Sequence, residues 1–413
     1  MIKYFLILCL VVNISFAHSY YFDSRYGSDN NNGLTKNSPF SSISKLNNIN
    51  LKPGDFVYLK KGSKFFGAIE IKNSGTINNY ITIESYGDGN RPQIDADFKS
   101  GFCISLENVK FVTVKSISLL NNNDRGNIYI NKCSNIILDG IDIYVTAHGG
   151  VFIENSTDCL VKNCDINTPS NKYNKQTDGI YLQRNKRIII DHNEIIISND
   201  HEKPHIDGIQ SYLETDLTVC NNYIEQRNSK TNSQGIYSTN SFGTHLYYNN
   251  IVYCPNTKAS VMGFKNMDKG TGALRAFNNT LVGRSTNMIY ASEANDVEIM
   301  NNIIISTGSS SVLHFTENLK DYSKINNNFY NRTKNDRTVY IETKDGIISG
   351  SEWQEKGADS KSIFTKTTID KNFKPVEEDL VRGKGEDLSK YFDYDKDYRK
   401  RTGRFDIGAI ELD

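Results

Sequence analysis

Asp178-Gly179-Ile180-Tyr181, Asp207-Gly208-Ile209-Gln210, Gln234-Gly235-Ile236-Tyr237 and Met262-Gly263-Phe264-Lys265 follow one another at intervals of 27 to 29 residues. A second register advances with the first: Asn193, Asn222, Asn250 and Asn279 each open a short apolar run. Two polar registers moving together predict a coil in which each repeat is one turn, so that residues distant in sequence stack over one another. The runs between them, such as Asn135-Ile136-Ile137-Leu138, Arg187-Ile188-Ile189-Ile190 and Leu217-Thr218-Val219, are too short for helices and rich in β-branched residues. A β-sandwich would show evenly spaced strands without a superposed long period. A left-handed β-helix would show a hexapeptide rhythm, which the chain lacks. The pattern therefore predicts an all-β, right-handed parallel β-helix with three strands per coil and about 23–29 residues per coil. Each Asn is expected in a tight turn, with its amide bonding along the stack and its backbone tolerating the left-handed region.

Counting one place past the hydrophobic member of each motif defines a column: Tyr181, Gln210, Tyr237 and Lys265. If Ile180, Ile209, Ile236 and Phe264 point inward, strand alternation sends this column outward. It would span about 14 Å, the length of a few sugar units. Tyr faces stack on pyranose rings, while Gln and Lys reach hydroxyls or carboxylates. His148, just before Gly149-Gly150-Val151-Phe152, joins the same register, and Arg184 and His245 stand near it as substrate-binding candidates. An ordinary mixed solvent face is the alternative.

Ionisable residues crowd the start of these strands: Asp178, His201, Glu202, His205 and Asp207. One coil separates Asp178 from Asp207, which brings their carboxylates to about 5 Å, and like charges that close raise the pKa of one partner. Three readings follow. The two Asp serve as acid and base or nucleophile in glycoside hydrolysis. Alternatively they hold Ca²⁺ against an acidic sugar while His205 or Lys265 takes a proton in β-elimination. In the third reading they only accept backbone N–H groups in turns that Gly makes possible. Asp139-Gly140 and Asp345-Gly346 show that the dipeptide alone says little. His205 needs less perturbation than Lys265 to act as a base at neutral pH.

The bulk numbers narrow the setting. Residues 1–17 read as a secretory signal peptide, with Lys3 before an apolar run and Ser15-Phe16-Ala17 at the cleavage point. That run is too short to cross a bilayer. The chain holds 48 basic and 48 acidic residues with no basic block, which argues against nucleic acid. A secreted or periplasmic monomer that meets a polysaccharide, and no membrane once the signal is removed, is the expected setting. Cys103, Cys133, Cys159, Cys164, Cys220 and Cys254 are too sparse for a disulfide scaffold; buried thiols or a few bridges both remain open. Residues 18–100 are expected to form an N-terminal cap and first strands, 101–350 the helix core and 351–413 a capping tail. A short helix is expected over Ser41 to Ile49, and strands over Phe56 to Leu59, Ile69 to Ile71, Tyr80 to Glu84 and Pro92 to Asp95. Trp353 is expected to pack within the tail.

The N-terminal stretch Tyr20-Tyr21-Phe22-Asp23, Gly27-Ser28-Asp29, Asn32-Gly33 and Pro39-Phe40, then Leu51-Lys52-Pro53-Gly54-Asp55 before Val57-Tyr58-Leu59, resembles the opening of secreted right-handed parallel β-helix proteins acting on polysaccharides. That group includes pectate and alginate lyases, chondroitinase-like lyases and epimerases. Gly403-Arg404 and Asp406-Ile407-Gly408-Ala409-Ile410-Glu411 resemble their closure, so the likeness covers nearly the whole chain after the signal. Gly263-Phe264-Lys265 resembles the Gly-Phe-Lys that carries the Lys base in one pectate lyase family, and Asp178-Gly179 its upstream Asp-Gly; that family clusters several Asp on Ca²⁺ where this chain has Asp178 alone. Thr177-Asp178-Gly179-Ile180 is similar to the Asn-Thr-Asp-Gly of polygalacturonase-type glycosidases. Their Asp-Asp pair and Gly-His-Gly are replaced here by Ile206-Asp207-Gly208. The resemblance implies lyase action on a uronate-containing glycan, with glycoside hydrolysis or glycan binding alone as alternatives.

Overall fold

The computed structural model describes all residues except 1–16, 97–100, 122–125, 146–148, 169–177, 199–204, 228–231, 268–269, 295, 309–310, 333–338 and 413. The signal peptide, His148, His201 and Glu202 therefore lie outside the described residues. Among those described, the strands form three twelve-stranded sheets, and the chain visits them in rotation. Leu160–Lys162 lies in the first sheet, Asp165–Thr168 in the second and Ile180–Gln183 in the third. Strands pair in parallel with their counterparts one coil on, apart from the antiparallel pair Tyr340–Thr343 and Gly346–Ser349 at the end of the third sheet, which makes the molecule a right-handed parallel β-helix. Inward positions are filled by Ile, Val and Leu at essentially zero exposure, among them Val161, Ile166, Ile180, Ile190, Ile195 and Ile209. Removal of this stacked apolar surface from water is the main force holding coil on coil. Among the described residues six cysteines are unbridged and buried, and all but Cys220 lie in this stack.

The N-terminal segment follows the expectation with small shifts. The helix covers Ile43–Asn47, capped by the Ser42 hydroxyl on the Lys45 amide. Strands run over Phe56–Lys60, Ile69–Ile71, Ile81–Tyr86 and Gln93–Asp95. Trp353 sits inside the helix Gly350–Glu355, fully buried, its indole N–H on Asp359 at 2.8 Å. It is a packing residue.

The Asn register forms the turn between the first and second sheets. Asn193, Asn222, Asn250, Asn279, Asn302 and Asn328 stack, each Nδ2 donating to the next Oδ1 at 3.0 Å. Each also accepts the preceding coil's amide, so no oxygen of the ladder is idle. The left-handed backbone, however, belongs to the residue before each ladder Asn: His192, Asn221, Asn249, Asn278, Asn301 and Asn327 all have φ between 49° and 60°. Several of these turn outward to hold the C-terminal tail, as Asn249 does on Tyr394 O and Asn301 on Glu386 O. The tail then lays apolar side chains on the second sheet through Val381 and Ile407, and on the first through Leu388, Phe392 and Phe405. The site lies on the third sheet.

Candidate functional site

The outer face of the third sheet carries a row of stacked side chains. Phe152, Tyr181, Gln210 and Tyr237 pair in direct register, as the spacing predicted. Lys265 does not continue the row. Tyr237 is opposite Gly263, and Lys265 is opposite Thr239. The coil after Gln234 reaches its equivalent position at Ser260, so Met262-Gly263-Phe264 is a look-alike motif displaced by two residues. Because the displacement is even, Lys265 still faces outward, about 7 Å further along the strand. The continuing row, missed from sequence because the wrong motif was aligned, is Tyr290 and His314. His314 Nδ1 stands 3.4 Å from the Glu342 carboxylate, and its ring lies 5.0 Å from that of Tyr290. Carrying the register past Gly263 on apolar inward positions would have found them. From Phe152 to His314 the row spans about 29 Å.

Gly263 leaves room for its neighbour. A Cβ there would come within 2.8 Å of the Tyr237 ring and 2.9 Å of Gln234 Nε2. Glycine serves a different purpose in the motif itself. Gly179 and Gly208 are not in the left-handed region. Instead, a Cβ on either would meet the carbonyl oxygen of the next coil's Gly at 2.5 to 2.6 Å and an Ile methyl at 2.5 Å. The residue is there for close approach of backbones.

Asp178 and Asp207 lie at the strand entrances, and both are buried. Asp178 Oδ1 accepts the Asp207 amide at 2.8 Å, and Asp207 Oδ1 accepts the Gln234 amide at 2.6 Å. The backbone-capping reading therefore holds for one oxygen of each, and both carboxylates are buried at the strand entrances rather than on the exposed row. Asp207 Oδ2 has no hydrogen-bond partner, although it is completely enclosed. Burial, reinforced by the charge of Asp178, pushes the Asp207 carboxyl well above the ordinary carboxylate range.

His205 stands over this acid. Its Nε2 is 3.4 Å from Asp207 Oδ1, and its side chain is 32% exposed, so it is the group between the buried carboxyl and solvent. Burial pushes the imidazole below its ordinary value, against the pull of the Gln234 side chain and the Asn232 backbone. Neutral imidazole is the form present at pH 7. The ring meets Tyr237 edge-on at 5.9 Å. Burial and the Asp207 charge push the Tyr237 phenol up to about 12. Arg184, exposed in the turn after Ile180–Gln183, acts electrostatically on Tyr181. The structure thus gathers Asp178, Asp207, His205, Tyr181, Gln210 and Tyr237 at the strand entrances, while Arg184 stands past the opposite end of Ile180–Gln183.

His245 is not part of it. Its ring is fully buried in the coil interior, with Nδ1 3.1 Å from the Tyr247 hydroxyl, and burial pushes its pKa to about 4. Position in the first sheet with inward parity removes it from substrate. The donor set does not suit calcium either. Ca²⁺ takes six to eight oxygens, whereas Asp178 and Asp207 each commit one oxygen to an amide. No group of three or more His, Cys, Asp or Glu able to hold a metal occurs among the described residues.

Residues 102–271 match a family model described as right handed beta helix region. A 138-residue segment is 29% identical to the lacto-N-biosidase of Bifidobacterium longum subsp. longum, covering 27% of this chain and 8% of that protein's length. The solved pectate lyase Pel9A superposes at a TM-score of 0.57 with 16% identity, over 97% of this chain and 98% of that one. The structure of XylC with xylose superposes at 0.56 with 12% identity, over 95% and 98%. These likenesses establish the fold.

Proposed function

We propose that the protein is an exported, carbohydrate-active enzyme that cleaves glycosidic bonds along the outer face of the third sheet, with hydrolysis as its reaction. One observation carries the reading: a fully buried carboxyl, Asp207, pushed well above the ordinary carboxylate range by burial and by Asp178, with the part-exposed His205 ring 3.4 Å away. Burial raises the proton affinity of Asp207 and lowers that of His205, so the two are brought close enough for a proton to pass between them. Asp207 gives its proton through His205 to the departing sugar oxygen as the glycosidic C–O bond breaks; a solvent water then attacks the anomeric carbon, and its proton returns through His205 to Asp207. Asp178, whose charge also reaches Tyr181, supplies negative potential beneath the position where an oxocarbenium-like transition state would form. Tyr181, Gln210 and Tyr237 give the sugar rings their platform. The lacto-N-biosidase segment supports hydrolysis, since that relative is named as a glycosidase.

A second reading, β-elimination on a uronate, is favoured by the neutral His205 beside Tyr237, with Arg184 and Lys265 on the same face for the sugar carboxylate. Calcium has no part in either reading. Product analysis on a panel of neutral and uronate-containing glycans separates them. New reducing ends without ultraviolet absorbance from an unsaturated uronate support hydrolysis; equal gains of both overturn it in favour of elimination. His205→Ala should lower kcat by about 100-fold or more under either chemistry, and unchanged turnover would remove this site from the reaction.

A further inference from the structure

On another face, the outer side of the second sheet, the C-terminal tail leaves a cleft of about 620 Å³. Its floor is sheet, with Ile196, Tyr223 and Arg227 among the lining residues, and its walls are two tail turns, 371–374 and 396–399. We propose that this cleft is a second, non-catalytic binding site for an anionic glycan.

Three features point there. First, Phe373 has φ of 63°, a region that a bulky side chain rarely adopts. Asp370 imposes it: the Asp370 carboxylate accepts the amides of Asn372 and Lys374, and its carbonyl accepts that of Phe373. The strained turn sets the Phe373 ring 5.7 Å from Tyr223 and 5.5 Å from Tyr253, so an aromatic wall is held in place at some conformational expense. Second, the cleft is basic in a chain of zero net charge. Lys371, Lys374, Lys396, Arg399 and Arg227 line it against Glu194, Glu225 and Asp397. Arg227 is held by a bidentate pair with Glu225, whereas Lys371 and Lys374 make no ion pair among the described residues. Third, the volume suits a short oligosaccharide, within the ordinary range for ligand sites. Aromatic faces take sugar rings, and unpaired lysines take carboxylate or sulfate.

The test uses the whole protein and isothermal titration with hexameric oligogalacturonate, a chondroitin sulfate hexasaccharide and neutral cellohexaose. A charged hexamer should bind with an affinity that falls with salt, and Lys371→Glu/Lys374→Glu should weaken it at least tenfold while turnover of small substrates is unchanged. The two charged probes tell carboxylate from sulfate recognition. Phe373→Gly relieves the backbone and removes the ring, so it should keep or raise the melting temperature while weakening binding. Equal binding of cellohexaose, no binding of either charged probe, or wild-type affinity in the double variant overturns the proposal. Because His205→Ala is predicted to leave this binding intact, failure here and failure of the catalytic reading are separable.

Discussion

Two turns of the same coil solve one problem with different side chains. Between the first and second sheets, Asn side chains accept the amide of the neighbouring coil and donate to the next Asn, so every polar atom is used. Between the second and third sheets, Asp178 and Asp207 accept equivalent amides with one oxygen each, and Asp207 Oδ2 is left enclosed without a partner. An amide would serve the fold better in both places, because a buried acid without a full set of donors is unfavourable. The difference teaches where to look: the turn that departs from the satisfied solution is the one beside His205 and the tyrosine row.

The comparison can be broken most strongly at the Asn ladder. Asn222→Ala strips the Asn193 amide and side chain of their acceptor and removes one donor each from the Ile190 and Cys220 carbonyls. It should lower stability by about 3–5 kcal/mol, read as a fall in urea midpoint, and it should do so equally across pH because no charge is involved.

A middle-sized effect is expected at Glu214, the charged member of a third interior register. Its Oε1 accepts from Asn185, its Oε2 has no partner, and burial raises its pKa to about 8. A carboxyl whose folded value is raised contributes stability fully present below its unfolded value of 4.5 and lost as pH rises through about 8. Glu214→Gln should therefore gain about 2 kcal/mol over wild type near pH 8 and nothing near pH 4. His245 has the opposite sign: its folded value of about 4 lies below 6.5, so its contribution is lost as pH falls through that window. With Glu214→Gln the neutral-to-alkaline slope should flatten and only the acid-side loss should remain in denaturant titrations.

The smallest stability change, and the one that sharpens the comparison, is Asp207→Asn. It turns the site's turn toward the Asn solution. Asp207 is raised in the folded protein, so its contribution is present at acid pH and lost as pH rises. The amide should match or exceed wild-type stability by about 1 kcal/mol at neutral pH while glycan turnover falls by about 100-fold. Stability lost together with activity would mean that the carboxyl serves the fold alone.

Much of this was legible in the residues. The ladder Asn, the inward Ile positions and the outward Tyr181, Gln210 and Tyr237 all follow from period and alternation. Lys265 and His245 did not. Lys265 was displaced because one coil is 26 residues long at the motif, and a Gly-Phe pair two places on imitates the pattern. His245 was misplaced because nearness in sequence to a site says nothing about parity across a different sheet.

By itself, then, the sequence determined the coil, its three-strand rhythm and the Asn spine, since these depend on local spacing repeated many times. Tertiary structure alone decided which side chains share the outer face of the third sheet. Register between coils is set by backbone hydrogen bonds, whatever the loop length, and the raised proton affinity of Asp207 comes from the burial that stacking imposes. The Asp-Gly repeat thus caps the next coil's amide at both Asp178 and Asp207, and at Asp207 His205 stands beside the carboxyl.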